Sequence, residues 1–327
     1  MAASFGCLGA RVRAIHALTI AAGLGPPGVT ADDLPANDVE ARLASALAAG
    51  HAAYVADDER RGLAGADALP ALPVVVVQPG ERNVYDQTLL GLALLRATGG
   101  AVPLQRLSLA QLTAWGTLDG ATNALVVRVP PGAVAQVGAG GSWATATTAF
   151  RVSVAYFRAG YTPDDYPSAA EWAARTTLHA SDAIAVPTVA VQLVGTKKVQ
   201  QVLTAPGEVE RYLPAADAAA VRSTFMPQRS LAPGADGDDA AAAAAAAPDA
   251  WVLKPQREGG GNNLYGPDVV AALARMSPTE RGGWVLMRRI HPVRARNVVV
   301  RGGAGGRVRW CRSSACLAPT WRRRGGR

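Results

Sequence analysis

Lysine is nearly missing from this 327-residue chain: Lys197, Lys198 and Lys254 stand against 30 arginines. Where only positive charge is needed, arginine serves. A surviving lysine therefore marks a position that wants a compact ammonium rather than a planar fork. Cysteine is as scarce. Cys7, Cys311 and Cys316 are too few and too scattered for a disulfide framework, and the C-x4-C pair has no second pair to complete a zinc site. Free thiols in a reducing compartment are the expectation. No apolar run reaches the roughly 18 residues of a transmembrane helix, so no membrane partner is expected. The four histidines, His16, His51, His179 and His291, are isolated in sequence and read as structural. Acids are absent from Arg281 to Arg327, a stretch with 13 arginines. The other 280 residues hold 20 basic and 25 acidic side chains, a net of −5, although the whole chain carries +8. The basic balance belongs to the last segment alone, and a nucleic-acid-binding tail is the weaker reading of it.

What is abundant is apolar: 49% of the residues are hydrophobic, enough for a sizeable core. Asp38 to Ala49 reads as a helix capped by Asn37 and stopped by Gly50. Val74 to Val77 reads as a buried strand, Val84 to Thr98 as a helix closed by Gly99-Gly100, and Ala124 to Val127 as a second buried strand. This strand–helix–strand rhythm suggests an α/β layer. Pro130 to Ala149 is rich in Gly, Ala and Thr and is expected to be a loop or insertion. Val154 to Phe157 resumes as a strand. Ser168 with Glu171 forms a capping box for a helix reaching His179. Helices are also expected over Lys197 to Leu203, Ala215 to Phe225 (with Pro214 at its start) and Pro267 to Met276. Ser230 to Pro248 reads as a surface linker, although its polyalanine run also suits a helix. Trp251 to Lys254 and Trp284 to Ile290 read as strands.

The most informative stretch is the 16-residue string Trp251-Val-Leu-Lys-Pro-Gln-Arg-Glu-Gly-Gly-Gly-Asn-Asn-Leu-Tyr-Gly266. A strand delivers Lys254 beside three glycines, Gly259, Gly260 and Gly261. Glycine lets backbone N–H groups approach phosphate oxygens closely, and the lysine adds a point charge. Glu258 at the loop entrance suits Mg²⁺ held against those phosphates. Asn262, Asn263 and Tyr265 add polar groups. The order differs from a P-loop, in which the lysine follows the glycines and precedes Ser or Thr.

This string resembles the glycine-rich loop of eukaryotic glutathione synthetase, an ATP-grasp ligase. Other segments match in order. Glu81-Arg-Asn-Val-Tyr-Asp-Gln87 and Tyr156-Phe-Arg-Ala-Gly-Tyr161 resemble substrate-contacting stretches, with Ala159 where the family usually has Asp. Gln192-Leu-Val-Gly-Thr-Lys-Lys-Val-Gln-Gln201 resembles the segment whose first lysine reaches the ATP phosphates. Val285-Leu-Met-Arg-Arg-Ile290 resembles the strand that contacts adenine, with Arg288 replacing a usual acid. Ala3-Ser-Phe-Gly6 looks like the family's Ser-Phe-Gly segment, so the acid-free first 30 residues are not read as a targeting peptide.

The resemblance implies an α/β (α+β), ATP-grasp-like fold with an inserted parallel α/β substrate-binding domain. A partial N-terminal region over 1–73 would precede the substrate domain at 74–195, the ATP-binding region at 196–301 and an atypical basic tail at 302–327. It implies ATP-dependent ligation of γ-glutamylcysteine with glycine through an acyl phosphate, with no covalent protein nucleophile. By matching position, ATP would meet Lys197, Lys254, Glu258, Gly259, Gly260, Gly261, Asn262, Asn263, Tyr265, Met287, Arg288, Arg289 and Ile290. Lys198 would be structural. The dipeptide would meet Ser4, Glu81, Arg82, Asn83, Gln87, Arg158, Ala159, Gly160 and Tyr161, and Glu258 would ligate Mg²⁺. A homodimer in the cytoplasm is implied, with a plastid as the alternative. The likeness runs from about residue 3 to 301. The family's upstream Mg²⁺-binding acid and asparagine, and its downstream Ser-Glu-Leu-Gly segment and glycine-rich lid, find no counterpart. The chain is therefore expected to be an incomplete version with impaired activity, and Arg307 to Arg327 to be foreign to the family.

Overall fold

A computed structural model describes residues 6–25, 27–63, 65, 68–81, 83–130, 149–257, 260–291, 294–301 and 304–311, the side chains of 260 and 294–311 excepted. The sequence expectations for Ser4, Arg82, Glu258, Gly259 and the inserted loop after Pro130 lie outside the described residues. The chain divides into two compact units, Met1–Gln192 and Leu193–Arg327.

The first unit is a layered α/β body. Its helices are α1 (Leu8–Ala21), α2 (Val39–Arg60), α3 (Val84–Ala97), α4 (Leu109–Trp115) and α5 (Ala169–Ala180), with α6 (Val189–Val194) leading out of it. Its strands are β1 (Ala71–Val77), β2 (Gln105–Ser108), β3 (Gly116–Leu118), β4 (Leu125–Arg128), β5 (Ala149–Phe157) and β6 (Ile184–Val186). They form one mixed sheet in the order β2-β1-β5-β4-β3, with β6 also on β5. β1, β2, β5 and β6 run parallel, while β4 and β3 join antiparallel. The all-valine run 74–77 lies in an interior strand, between β2 and β5, and is apolar throughout because that strand is covered on both faces. Its side chains alternate. Val74 and Val76 pack with Leu107, Phe150 and Leu178 on the α4/α5 face. Val75 and Val77 pack with Leu47, Leu90 and Leu94 on the α2/α3 face. Each such buried side chain contributes about 1.5–3 kcal/mol.

Two details refine the sequence reading. The Ser168–Glu171 capping box is present, with the Ser168 hydroxyl accepting the Ala170 N–H at 3.1 Å. Gly50, expected to stop α2, instead lies inside it. A Cβ there would sit 3.2 Å from Val154 Cγ2, so this glycine lets the helix approach β5 closely.

The second unit contains α7 (Lys197–Leu203), α8 (Ala215–Arg222), α9 (Ala235–Ala246), α10 (Pro267–Arg275) and α11 (Pro278–Gly282). An antiparallel sheet is built from β7 (Gln228–Ser230), β8 (Trp251–Pro255), β9 (Leu264–Tyr265) and β10 (Trp284–Arg288), in the order β7-β10-β8-β9. The segment expected to be a linker is largely α9. Ala240 and Ala244, four residues apart on one face, are fully buried against Leu231, Leu253 and Leu286. Alanine combines the highest helix propensity with the small volume a close helix–sheet contact needs. β11 (Arg294–Arg301) and β12 (Ala304–Cys311) form an antiparallel hairpin, so the start of the segment expected to be an atypical tail is a paired strand as far as Cys311.

Candidate functional site

Adjacent parallel strands end at the same sheet edge, and the segments that leave them meet there. β1 runs into the Glu81 segment, and β5 runs into Arg158–Tyr161. The N–H groups of Arg158 and Ala159 both donate to the Val76 carbonyl, at 3.1 and 3.0 Å, which fixes one segment to the other strand. The result is a partly buried ion pair between Arg158 and Glu81. Glu81 also accepts the Asn83 N–H at 2.9 Å. Arg158 is 3% exposed, and Asp86 lies 3.6 Å from its Nε. Burial works against the charge of Glu81. The hydrogen bonds from Asn83 and Arg158 and the charges of Arg158 and Arg106 outweigh it, and the carboxyl is held below its usual range. Arg106, from β2, is half-buried. Its pKa is lowered by burial and by the charge of Arg158, partly offset by Glu81.

Asp86 and Arg106 escaped the sequence reading. Asp86 lies within the matched string, and its second task is not local: its Oδ1 accepts the N–H groups of Cys7 at 2.8 Å and Leu8 at 3.1 Å, supplying the cap that α1 lacks. Gln87 is 2% exposed, and neither its amide oxygen nor its nitrogen has a hydrogen-bond partner. It borders a cavity of about 30 Å³ lined also by Thr88, Gly91, Leu104 and Arg106. Ala159 is buried, and Gly160 takes a left-handed φ of +86°. The Tyr161 N–H donates to Asp165 at 3.1 Å.

In the second unit, β8 and β10 bring Lys254 beside Met287, whose sulfur accepts from Nζ at 3.5 Å. A thioether is a weak acceptor. The Lys254 pKa is lowered first by burial and then by the charge of Lys197. Lys197 donates to the Arg257 carbonyl, and the Lys198 N–H donates to Gln256 Oε1 at 3.2 Å, so the end of β8 holds the start of α7. The Lys198 ammonium is taken up by Gln201 and Ser230, at 3.2 and 3.3 Å. Gly260–Asn262 forms a 3-10 turn. Asn263 donates to Tyr265 Oη at 3.4 Å, and its Oδ1 is buried without a hydrogen-bond partner. Arg288 and Arg289 do not point to one place: Arg288 lies 5.3 Å from the Trp251 ring, Arg289 lies 5.8 Å from the Tyr265 ring, and Ile290 is exposed. Among the described residues, no three His, Cys, Asp or Glu side chains gather into a metal site.

The fold resembles that of a glutathione synthetase-like effector, GSS30, from Globodera pallida, with a TM-score of 0.60 at 17% identity over 90% of this chain and 55% of that one. This defines the class of protein as a mixed α/β molecule of glutathione synthetase-like architecture. Residues 1–310 match the family model for the eukaryotic glutathione synthase ATP-binding domain, and the chain belongs to that family. The match passes residue 301, where the sequence likeness was expected to end. The glutathione synthetase large chain of Schizosaccharomyces pombe is 32% identical over 91% of this chain and 57% of its own length. The glutathione synthetase of Bos taurus is 34% identical over 99% of this chain and 61% of its own length. The chain thus spans about three fifths of these relatives.

Proposed function

We propose that the chain acts in glutathione formation as an ATP-dependent ligase joining γ-glutamylcysteine to glycine. The observation that carries this reading is the pairing of two lysines, in a protein with only three, beside the glycine loop of an ATP-binding family. Lys254 is half-buried and, among the described residues, its ammonium meets only a thioether, an arrangement that a polyphosphate would complete. Lys197, Gly259, Gly260, Gly261, Asn262, Asn263 and Tyr265 are the further proposed ATP contacts, with Met287 and Ile290 toward the base. The available donors in the loop, the Glu258 carboxylate and the amide oxygens of Asn262 and Asn263, are hard oxygens. They fit Mg²⁺, and the orphaned Asn263 Oδ1 is one such atom. When bound, the ion would neutralise phosphate charge.

In the first unit, the dipeptide is proposed to lie against Glu81, Asn83, Gln87, Arg158 and Tyr161. Arg158 offers a guanidinium, Glu81 a carboxylate for an ammonium, and Gln87 an unpartnered amide. The cysteinyl carboxylate takes the γ-phosphoryl group of ATP and ADP leaves. The glycine amine then attacks the acyl carbon, loses a proton and expels phosphate. The protein's part is positioning and charge neutralisation. The test is turnover by the purified chain with ATP, Mg²⁺, γ-glutamylcysteine and glycine, following ADP and glutathione together. Equal formation of both, dependent on Lys254, is expected. Absence of glutathione at saturating substrates overturns the proposal.

A further inference from the structure

Outside the residues assigned so far, two charged groups grip one short segment from opposite sides. The Gly160 carbonyl accepts from Tyr166 Oη at 2.9 Å, Gln192 Nε2 at 3.1 Å and, more loosely, Arg175 Nη1 at 3.5 Å. Tyr166 Oη itself accepts from Arg175 Nη1 at 3.2 Å. On the amide side, Asp165 Oδ2 accepts the N–H groups of Gly160 at 2.9 Å, Tyr161 at 3.1 Å and Thr162 at 3.3 Å. Asp165 Oδ1 is held by Gln78 Nε2 at 2.6 Å. Peptides 160–162 are thus polarised between a guanidinium network and a carboxylate; the gripped segment carries Tyr161 and directly follows Arg158 and Ala159, whose N–H groups are tied to the Val76 carbonyl.

Arg175 is unusual in itself. It is 7% exposed, lies 3.9 Å from the Phe157 ring, donates from Nε to His179 Nε2 at 2.7 Å and from Nη2 to Gln192 Oε1 at 2.8 Å. Every one of these acceptors is neutral. Among the described residues, this buried cation is held by oriented dipoles and a ring face instead of an ion pair. His179 has to remain neutral to accept that bond, and its pKa is lowered by burial and by Arg175. Gly160 completes the fit: a Cβ on it would meet Tyr166 Oη at 2.9 Å, at a φ of +86°.

We propose that Arg175 and Asp165 are positioning residues that hold the Arg158–Tyr161 segment in its dipeptide-binding geometry. This rests on the functional reading above, and two separate measurements keep the two apart. Hydrogen exchange by mass spectrometry reads the order of residues 158–166 without any ligand, and calorimetry reads binding of γ-glutamylcysteine and of ATP.

For Arg175→Lys and, independently, Asp165→Asn, exchange at Gly160–Thr162 should rise about tenfold or more. Affinity for γ-glutamylcysteine should fall by a similar factor, with ATP affinity unchanged, as expected for loss of charge-assisted hydrogen bonds. Tyr166→Phe, which removes one neutral donor, should act in the same direction and less. Unchanged exchange at these amides in either folded variant overturns the proposal. So does an equal loss of ATP affinity, which would mark a general structural role. If the unaltered chain binds no γ-glutamylcysteine, the ligase reading fails while the exchange measurement still decides whether the segment is clamped.

Discussion

A lysine whose hydrogen-bond acceptor among the described residues is a sulfur atom sits in an unfinished environment. Lys254 is depressed by burial and by Lys197, so the unliganded folded chain releases this proton below the ordinary value of 10.5. In that window the unfolded chain binds more protons than the folded one, and this group makes stability rise with pH. Bound polyphosphate would reverse the shift. ATP binding should therefore take up a proton as pH approaches 10.5 from below, read as a dependence of binding enthalpy on buffer ionisation. Lys254→Met keeps the contact with Met287 and should weaken ATP binding about 10- to 100-fold by calorimetry, the value of one or two charge-assisted bonds. Lys254→Arg should also fail to restore it, because a planar fork replaces a point charge. Cys7 makes the opposite point. Burial, then Asp86 and Glu40, push its thiol up to about 12. In a chain carrying Cys311→Ser and Cys316→Ser, iodoacetamide at pH 8 should alkylate Cys7 far more slowly in the native state than in urea. Comparable rates would mean that the buried position beside Asp86 does not hold in solution.

Among the elements, α2 shows best how tertiary contact overrides a local signal. Glycine inside a helix costs about 1 kcal/mol against alanine, which is why Gly50 reads as a stop. The helix nevertheless continues to Arg60, because at Gly50 the backbone lies against Val154. Gly50→Leu should lower stability by about 1–3 kcal/mol through overpacking, measured as a lower urea midpoint, although leucine is the better helix former. A gain in stability would show that the helix–sheet distance adjusts freely. Elsewhere the local signals sufficed. The Ser168–Glu171 box starts α5, and Lys197–Leu203 is α7 with the ends read from sequence. The core valines of β1 were legible because a doubly covered strand needs no polar alternation. What stayed hidden depends on distant partners. Asp86 caps a helix that begins 78 residues earlier, and Arg175 bonds a carbonyl 15 residues before it. Ala240 and Ala244 belong to a run of one residue type, in which no periodicity can show which face is buried.

Across the whole molecule, the two proposed ligands should leave different footprints. The dipeptide candidates Glu81, Gln87 and Arg158 all belong to Met1–Gln192, and the ATP candidates from Lys197 to Ile290 all belong to Leu193–Arg327. A ligand that binds only the folded state stabilises by RT ln(1 + [L]/Kd), about 2.7 kcal/mol at a hundredfold excess over Kd. That free energy is felt by the amides whose opening releases the ligand. With saturating ATP and Mg²⁺, exchange should slow by up to about a hundredfold in β8, β10 and the start of α7, with little change in β1 and the start of α3. Saturating γ-glutamylcysteine should do the reverse, slowing the Glu81–Gln87 and Arg158–Tyr161 segments. Protection by ATP confined to the first unit would remove the lysine pair from the nucleotide site. Protection by γ-glutamylcysteine confined to the second unit would remove the Glu81–Arg158 pair from the dipeptide site. Mutual strengthening, with each ligand deepening the other's protection, would mean that the two sites share a coupling free energy, and by linkage the gain must be equal in both directions.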